Sequence, residues 1–193
     1  YKGTKLEKID LWKSPRLLEA EKIEVLFHEY LEAGGFPALY TVSSENRKVL
    51  LKTSIDLTFY RDIVNTFEVK RADVLEGLFY LFAKESGNVV NYANLSSSLK
   101  TKFETIKTYI DYLNSAFLVS KSQFYSGSKL KTLEKNEKVY VADHAFNMLQ
   151  TMKTGSKIET LIYNAVRSAG YDLFYWQDKN QTEVDIVAID KET

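Results

Sequence analysis

The sequence predicts a mainly helical α+β fold. Apolar residues recur at three- and four-residue spacing over five long stretches. Only two prolines, Pro15 and Pro37, interrupt 193 residues, so long helices are allowed through most of the chain. Short runs rich in Val, Phe, Tyr and Trp cluster at 117–141 and 171–189, bounded by polar turn residues.

Residues 1–18 are mixed and read as an irregular lead-in. The first helix is expected over 19–33, with Ile23, Leu26, Phe27, Tyr30 and Leu31 as its apolar stripe. Gly34-Gly35-Phe36-Pro37 stops it, because glycine accepts the left-handed cap and proline forbids continuation. A second helix is expected with Ser44 as its N-cap and Val49, Leu50, Thr53, Leu57, Tyr60 and Val64 marking its apolar side. A third spans about 71–85 with Val74, Leu75, Leu78, Phe79 and Phe82 on one face, and Gly87 caps it. An extended pair, Val89-Val90, precedes a short helix over 93–99 and a long one over 101–117. In the long helix Phe103, Ile106, Ile110, Leu113 and Phe117 make a strong amphipathic pattern.

Three extended runs follow at 117–119, 123–125 and 138–141, with a polar, flexible hairpin tip between the last two. A helix over 154–169 carries Ile158, Leu161, Ile162, Ala165, Val166 and Ala169 as one stripe, ended by Gly170. Strands at 171–176 and 182–189 then read as a hairpin around a polar turn.

Composition removes several function classes. The absence of cysteine excludes disulfides, zinc fingers, iron–sulfur clusters and thiol catalysis. Two histidines do not furnish a histidine-rich metal site. Twenty-six basic and 26 acidic residues balance, which argues against binding nucleic acid with the whole surface. No apolar run reaches about 18 residues, so no membrane partner is expected. The start Tyr1-Lys2-Gly3-Thr4 has neither an initiating Met nor a signal-peptide core, so a cytoplasmic fragment of a longer chain is expected.

The middle section has the order helix, short strand, helix, helix, strand, strand, which is the plan of a winged helix-turn-helix. Eight lysines against four acids from Lys100 to Lys138 give that segment a local charge of +4. A basic wing suits phosphate contacts. The candidate DNA-binding residues are Lys100, Lys102 and Thr105 at the helix start, and Lys129, Lys131 and Lys135 in the wing. Glu104 and Asp111 on the outward helix face oppose phosphates. Two roles fit this segment: a DNA-contacting module, or a protein-binding module with a solvated lysine hairpin.

Glu159 lies at the edge of its helix stripe, and Glu183 and Asp185 share one strand face about 7 Å apart. If helix and strand pack, Glu159 and Asp185 could converge as oxygen ligands for Mg²⁺; otherwise they are solvated surface charges. His28 reads as a packed or surface histidine, Asp143 as a turn or helix cap, and Arg61-Asp62 as an ion pair or cap. No P-loop sequence is present, so these residues alone cannot bind ATP in that way.

Several short pieces recur in a known order. They are Tyr30-Leu31-Glu32-Ala33-Gly34-Gly35-Phe36-Pro37, Tyr60-Arg61-Asp62-Ile63, and the segment Thr105 to Leu113. Next come Lys138-Val139-Tyr140-Val141-Ala142-Asp143, Gly155-Ser156-Lys157-Ile158-Glu159, and Tyr175-Trp176 leading to Glu183-Val184-Asp185-Ile186-Val187. In these pieces the chain resembles the C-terminal region of archaeal and bacterial AAA-type P-loop ATPases, a domain of unknown function. The resemblance implies a helical connector from an ATPase domain over 1–70, a winged-helix domain over 71–150, and a truncated endonuclease-like helix plus β-hairpin over 151–193. Glu159 and Asp185 would match the helix acid and first strand acid of the endonuclease pattern. The following E-x-K strand has no counterpart here, so the resemblance implies a module without catalytic activity of its own, the alternative being an incomplete divalent-metal-dependent nuclease domain. It implies ATP and Mg²⁺ as cofactors of the ATPase domain and none for these residues. The implied partners are DNA, the protein's own ATPase domain and, in a homo-oligomer, further copies.

Overall fold

A computed structural model describes residues 17–190. The lead-in expected over 1–18 falls almost wholly outside the described residues. The observed class is the expected one: a mainly helical α+β protein with one four-stranded mixed sheet.

Helix α1 (Leu17–Ala33) ends at Gly34, which takes φ +78°. A Cβ there would collide with the Asp143 carboxylate and Ala145, so only glycine lets the chain pass this close. Asp143 caps the 3-10 turn His144–Met148 by accepting from the Ala145 N–H at 2.7 Å, and it also accepts from the Gly35 N–H at 2.9 Å. The expected cap role of Asp143 is therefore met, and it ties two distant motifs together. His144 is buried with its Nε2 2.8 Å from the Tyr30 carbonyl oxygen. The stripe expected on α1 is mostly outside the core: Leu31 and Ala33 are buried, but Leu26, Phe27 and Tyr30 are exposed.

Helix α2 (Ser44–Leu57) runs into a π-helical turn, Thr58–Val64. Its buried side is Leu51, Ile55, Phe59 and Ile63. The expected face is met only in part: Leu50 and Val64 pack against the core, but Val49 is 65% exposed and Leu57 55% exposed. Both faces carry apolar residues, and the four-residue spacing of the buried set matches a helix that widens as it enters the π turn. Ser43 rather than Ser44 is the N-cap residue.

Helix α3 (Ala72–Lys84) buries all five residues of its expected stripe. Helix α4 (Tyr92–Ser98) packs on α5 (Phe103–Ser115), which buries Ile106, Tyr109, Ile110 and Leu113. The two ends of the α5 stripe fall outside: Phe103 is exposed, and Phe117 takes φ +57° beyond the helix and is 76% exposed.

Strand β1 (Val119–Phe124) is continuous where two separate runs were expected. Its polar centre, Ser120-Lys121-Ser122, hid it, yet Ser120 and Ser122 are buried. Helix α6 (Lys129–Glu134) occupies the expected hairpin tip, and β2 (Lys138–Val141) returns antiparallel to β1. Val89 bridges to Lys138, so a third, minimal strand joins this pair.

Helix α7 (Thr154–Ser168) and the hairpin β3 (Asp172–Gln177) and β4 (Glu183–Ile189) complete the fold. The sheet order is β2-β1-β3-β4, with β1 and β3 parallel at Gln123↔Phe174 and Phe124↔Tyr175. Helix α7 turns the opposite side inward from the one its stripe suggests. Lys157, Thr160 and Tyr163 are buried, while Ile158 and Ile162 are exposed. The reason is a polar seam: Thr160 Oγ1 donates to Ser86 Oγ at 2.7 Å, Ser86 Oγ accepts from the Val141 N–H, and Asn164 donates to the Val141 carbonyl.

The main core joins α2, α3, α5, β1, β2 and the 3-10 turn around Leu75, Leu78, Phe79, Ile106, Ile110, Leu113 and Phe146. Among the described residues no helix is long and apolar enough to cross a membrane.

Candidate functional site

The structure brings Glu159 and Asp185 together, and it leaves the expected DNA-binding residues on two segments, the α4–α5 corner and α6. The first set is built on Lys138 of β2. Its side chain is buried, and its ammonium donates to Asp185 Oδ1 at 2.8 Å. It also pairs with Glu183 and lies 3.6 Å from Glu159 Oε1. Glu159 and Asp185 thus converge, as a packed helix and strand require, but on a lysine. The Tyr140 hydroxyl donates to Glu159 Oε1 at 2.6 Å, and the Tyr140 ring stacks on Tyr163 with centroids 3.8 Å apart. Gly87, at φ +88°, leaves room for this arrangement, since a Cβ would press on Glu159 Oε1 and Tyr140.

The electrostatics follow from the pairing. Burial works against the Lys138 ammonium, but hydrogen bonds to Asp185 and Glu183 outweigh it and raise its pKa above the ordinary lysine value. The hydrogen bond from Lys138 holds the Asp185 carboxyl below the usual carboxylate range. Burial pushes Glu159 up, partly offset by the Tyr140 hydroxyl and the Lys138 charge. Burial, then the neighbouring Glu159, raises the Tyr140 phenol. Among the described residues no group of three or more His, Asp or Glu is arranged to hold a metal ion. A divalent cation between Glu159 and Asp185 would have to displace the Lys138 ammonium. Sequence reasoning counted Lys138 as a wing lysine. The signal that could have separated it was its place in Lys138-Val139-Tyr140-Val141, an extended run buried on both faces.

The second set lies on the α4–α5 corner and on the α6 segment between β1 and β2. Lys100 sits in the tight turn between the helices at φ +48°, Lys102 is the N-cap residue of α5, and Thr105 is half-buried in its first turn. Lys129 and Lys131 lie on α6, and Lys135 follows it with its ammonium 5.9 Å from the Phe124 ring centroid. All five lysines are exposed, and among the described residues none is in an ion pair. Lys121 differs, because it pairs with Asp111 at 2.5 Å and approaches Glu137 at 4.0 Å. Lys121 and Lys138 are therefore internally neutralised, and Asp111 is removed as a free acid on the α5 face.

Other sequence candidates resolve simply. His28 is a surface residue 3.9 Å from Glu24, and Arg61 pairs with Asp62 at 2.6 Å.

A family model, described as a domain of unknown function (DUF8612), matches residues 24–156. The chain belongs to this family. The DUF8612 match holds both Lys138 and the whole α4–α5 corner and α6 segment, and stops before Glu159 and the β3–β4 hairpin. The chain is similar to an uncharacterized protein, MJ1544, of Methanocaldococcus jannaschii, 34% identical over 182 residues. That match covers 86% of this chain and 40% of the relative. An uncharacterized protein of Haemophilus influenzae is 24% identical over 179 residues, covering 88% of this chain and 44% of its own length. The chain thus spans less than half the length of these relatives. No solved structure matches it.

Proposed function

We propose that this DUF8612 chain is the C-terminal part of an AAA-type P-loop ATPase, and that its 71–150 segment is a winged helix that contacts DNA without catalysis of its own. ATP and Mg²⁺ belong, on this reading, to the preceding domain. The observation that carries it is the sorting of the lysines. Those pointing inward are neutralised by Asp111, Glu137 and the Glu159–Asp185 cluster. Those at the helix corner and wing are exposed and free of ion pairs among the described residues. Uncompensated lysines favour phosphates by releasing counterions. The element order supports the winged-helix assignment: α3, the Val89 bridge, α4, α5, then β1 and β2 flanking a wing.

The test is a titration of labelled duplex with the parent and with Lys129→Ala/Lys131→Ala/Lys135→Ala. Binding should be weak and sequence-independent. The triple variant should weaken it uniformly and flatten the salt slope by about 1 for each phosphate that is no longer neutralised. An unchanged affinity and slope would remove the wing from the reading.

A second reading, a protein-interaction module, is favoured by the outward apolar side of α7 at Ile158 and Ile162 and by exposed Leu26 and Phe27 on α1. It gains if the parent chain binds no duplex at low salt.

A further inference from the structure

We propose that the groove between α4, the start of α5 and the end of the wing receives an unpaired nucleobase of DNA, stacked on Phe103. The proposal rests on the DNA-contact reading and deepens it, naming single-stranded or locally unpaired DNA as the preferred substrate.

The groove is open, has a volume of about 570 Å³ and is lined by Asn91, Tyr92, Ser96, Ser97, Phe103 and Asn136. Phe103 begins the apolar stripe of α5, yet it is 45% exposed while Ile106, Ile110 and Leu113 are fully buried. Phe103 therefore presents part of its ring to the groove. Its ring leans on Tyr92 with centroids 4.7 Å apart. Tyr92 is itself fixed, because its hydroxyl donates to Glu137 Oε1 at 2.7 Å. Phe103 thus offers a supported aromatic surface to the groove, and every base has a π-face that stacks on such a surface.

The polar lining is divided between structural and available groups. Asn91 Oδ1 caps α4 by accepting from the Asn94 N–H at 3.0 Å, and Ser96 Oγ donates to the Thr101 carbonyl at 2.6 Å. The Asn136 side-chain amide and the Ser97 hydroxyl have no hydrogen-bond partner among the described residues. An amide carries both donors and an acceptor, which suits the Watson–Crick edge of a base. In a duplex that edge is already paired and the π-face is stacked, so only an unpaired base satisfies both surfaces.

Exposed Lys100 and Lys102 precede Phe103 in the chain and exposed Lys135 precedes Asn136, with the Lys135 ammonium 5.9 Å from the Phe124 ring centroid. Exposed Glu104 disfavours a path of the strand along α5.

The experiment is a fluorescence-anisotropy titration of the parent chain against three labelled DNAs. These are a duplex, the same duplex with one extrahelical adenine, and the corresponding single strand. The parent should prefer the two unpaired DNAs. Phe103→Ala should lose about 10-fold or more on those two while leaving duplex affinity unchanged, and Phe103→Trp should restore the preference. Circular dichroism establishes that each variant is folded. Should Phe103→Ala unfold, Asn136→Ala takes its place with the same expectation, because only the Asn136 backbone carbonyl serves the fold, accepting from Tyr175. Equal losses on all three DNAs, or no loss, would overturn the proposal. Free dAMP competing as well as the extrahelical adenine would overturn it in favour of a nucleotide site. No binding of any DNA by the parent would instead overturn the DNA reading on which it rests.

Discussion

Replacing Lys138 by Met removes the cation that three carboxylates share and leaves the side-chain volume nearly unchanged. Glu159, Glu183 and Asp185 would then face one another without a counter-charge. Breaking a buried ion pair from one side costs about 3–5 kcal/mol when the remaining charge is fully buried. Here Asp185 keeps a side-chain exposure of 54% and Glu183 of 28%, so solvent screens part of the repulsion. We therefore expect a loss of about 2–3 kcal/mol, which for a chain of this size lowers Tm by about 4–12 °C. Calorimetry across pH supplies the sharper test. Asp185 has its pKa depressed by folding, so its contribution is present above the ordinary carboxylate pKa and is lost as pH falls through the lower folded value. Lys138 has its pKa raised, so its contribution holds below the ordinary lysine pKa and is lost as pH rises through the higher folded value. The difference between parent and Lys138→Met should shrink at both ends, and on the acid side it starts to shrink above the ordinary carboxylate pKa, because Glu159, already pushed up by burial, loses the Lys138 charge that holds it down. Adding Glu183→Gln and Asp185→Asn to the variant should recover most of the loss. A Lys138→Met protein within about 0.5 kcal/mol of the parent, or a deficit that ignores pH, would refute the reasoning.

Three further outcomes are expected. Residues 1–193 should not cleave single-stranded, duplex or branched DNA with Mg²⁺ or Mn²⁺, because Lys138 already holds the carboxylates that would bind metal; cleavage abolished by Asp185→Ala would overturn this. Gly34→Ala should cost about 2–4 kcal/mol in urea unfolding, since φ is +78° and the new methyl meets the Asp143 carboxylate and Ala145, and a neutral result would mean that α1 can shift away from the 3-10 turn freely. Leu51→Ala should cost about 2–4 kcal/mol and Val49→Ala less than about 1, and the reverse order would place the wrong side of α2 in the core.

The sequence determined most of the helices and the hairpins, because those depend on local periodicity and on turn residues. The α3 stripe, the centre of the α5 stripe and the stops at Gly34, Gly87 and Gly170 needed no knowledge of partners. The sequence also placed Glu159, Glu183 and Asp185 where a packed helix and strand would bring them together. Tertiary structure alone decided which side of an element faces in when both sides offered a plausible surface. Helix α2 has apolar residues on two faces, and only packing into the shared core, with Phe59 edge-on to Phe79 of α3, selects Leu51, Ile55, Phe59 and Ile63. Helix α7 turns its polar side inward because Ser86, Tyr140 and Asn164 with Val141 supply hydrogen bonds that no local pattern announces. Lys138 is the sharpest case. Its residue type suggested a solvated wing charge, and its burial arises only because α7 and β4, 21 or more residues away along the chain, deliver three carboxylates to its ammonium. A charge buried in this way is stabilised by long-range partners, and a linear pattern carries no record of that distance in space.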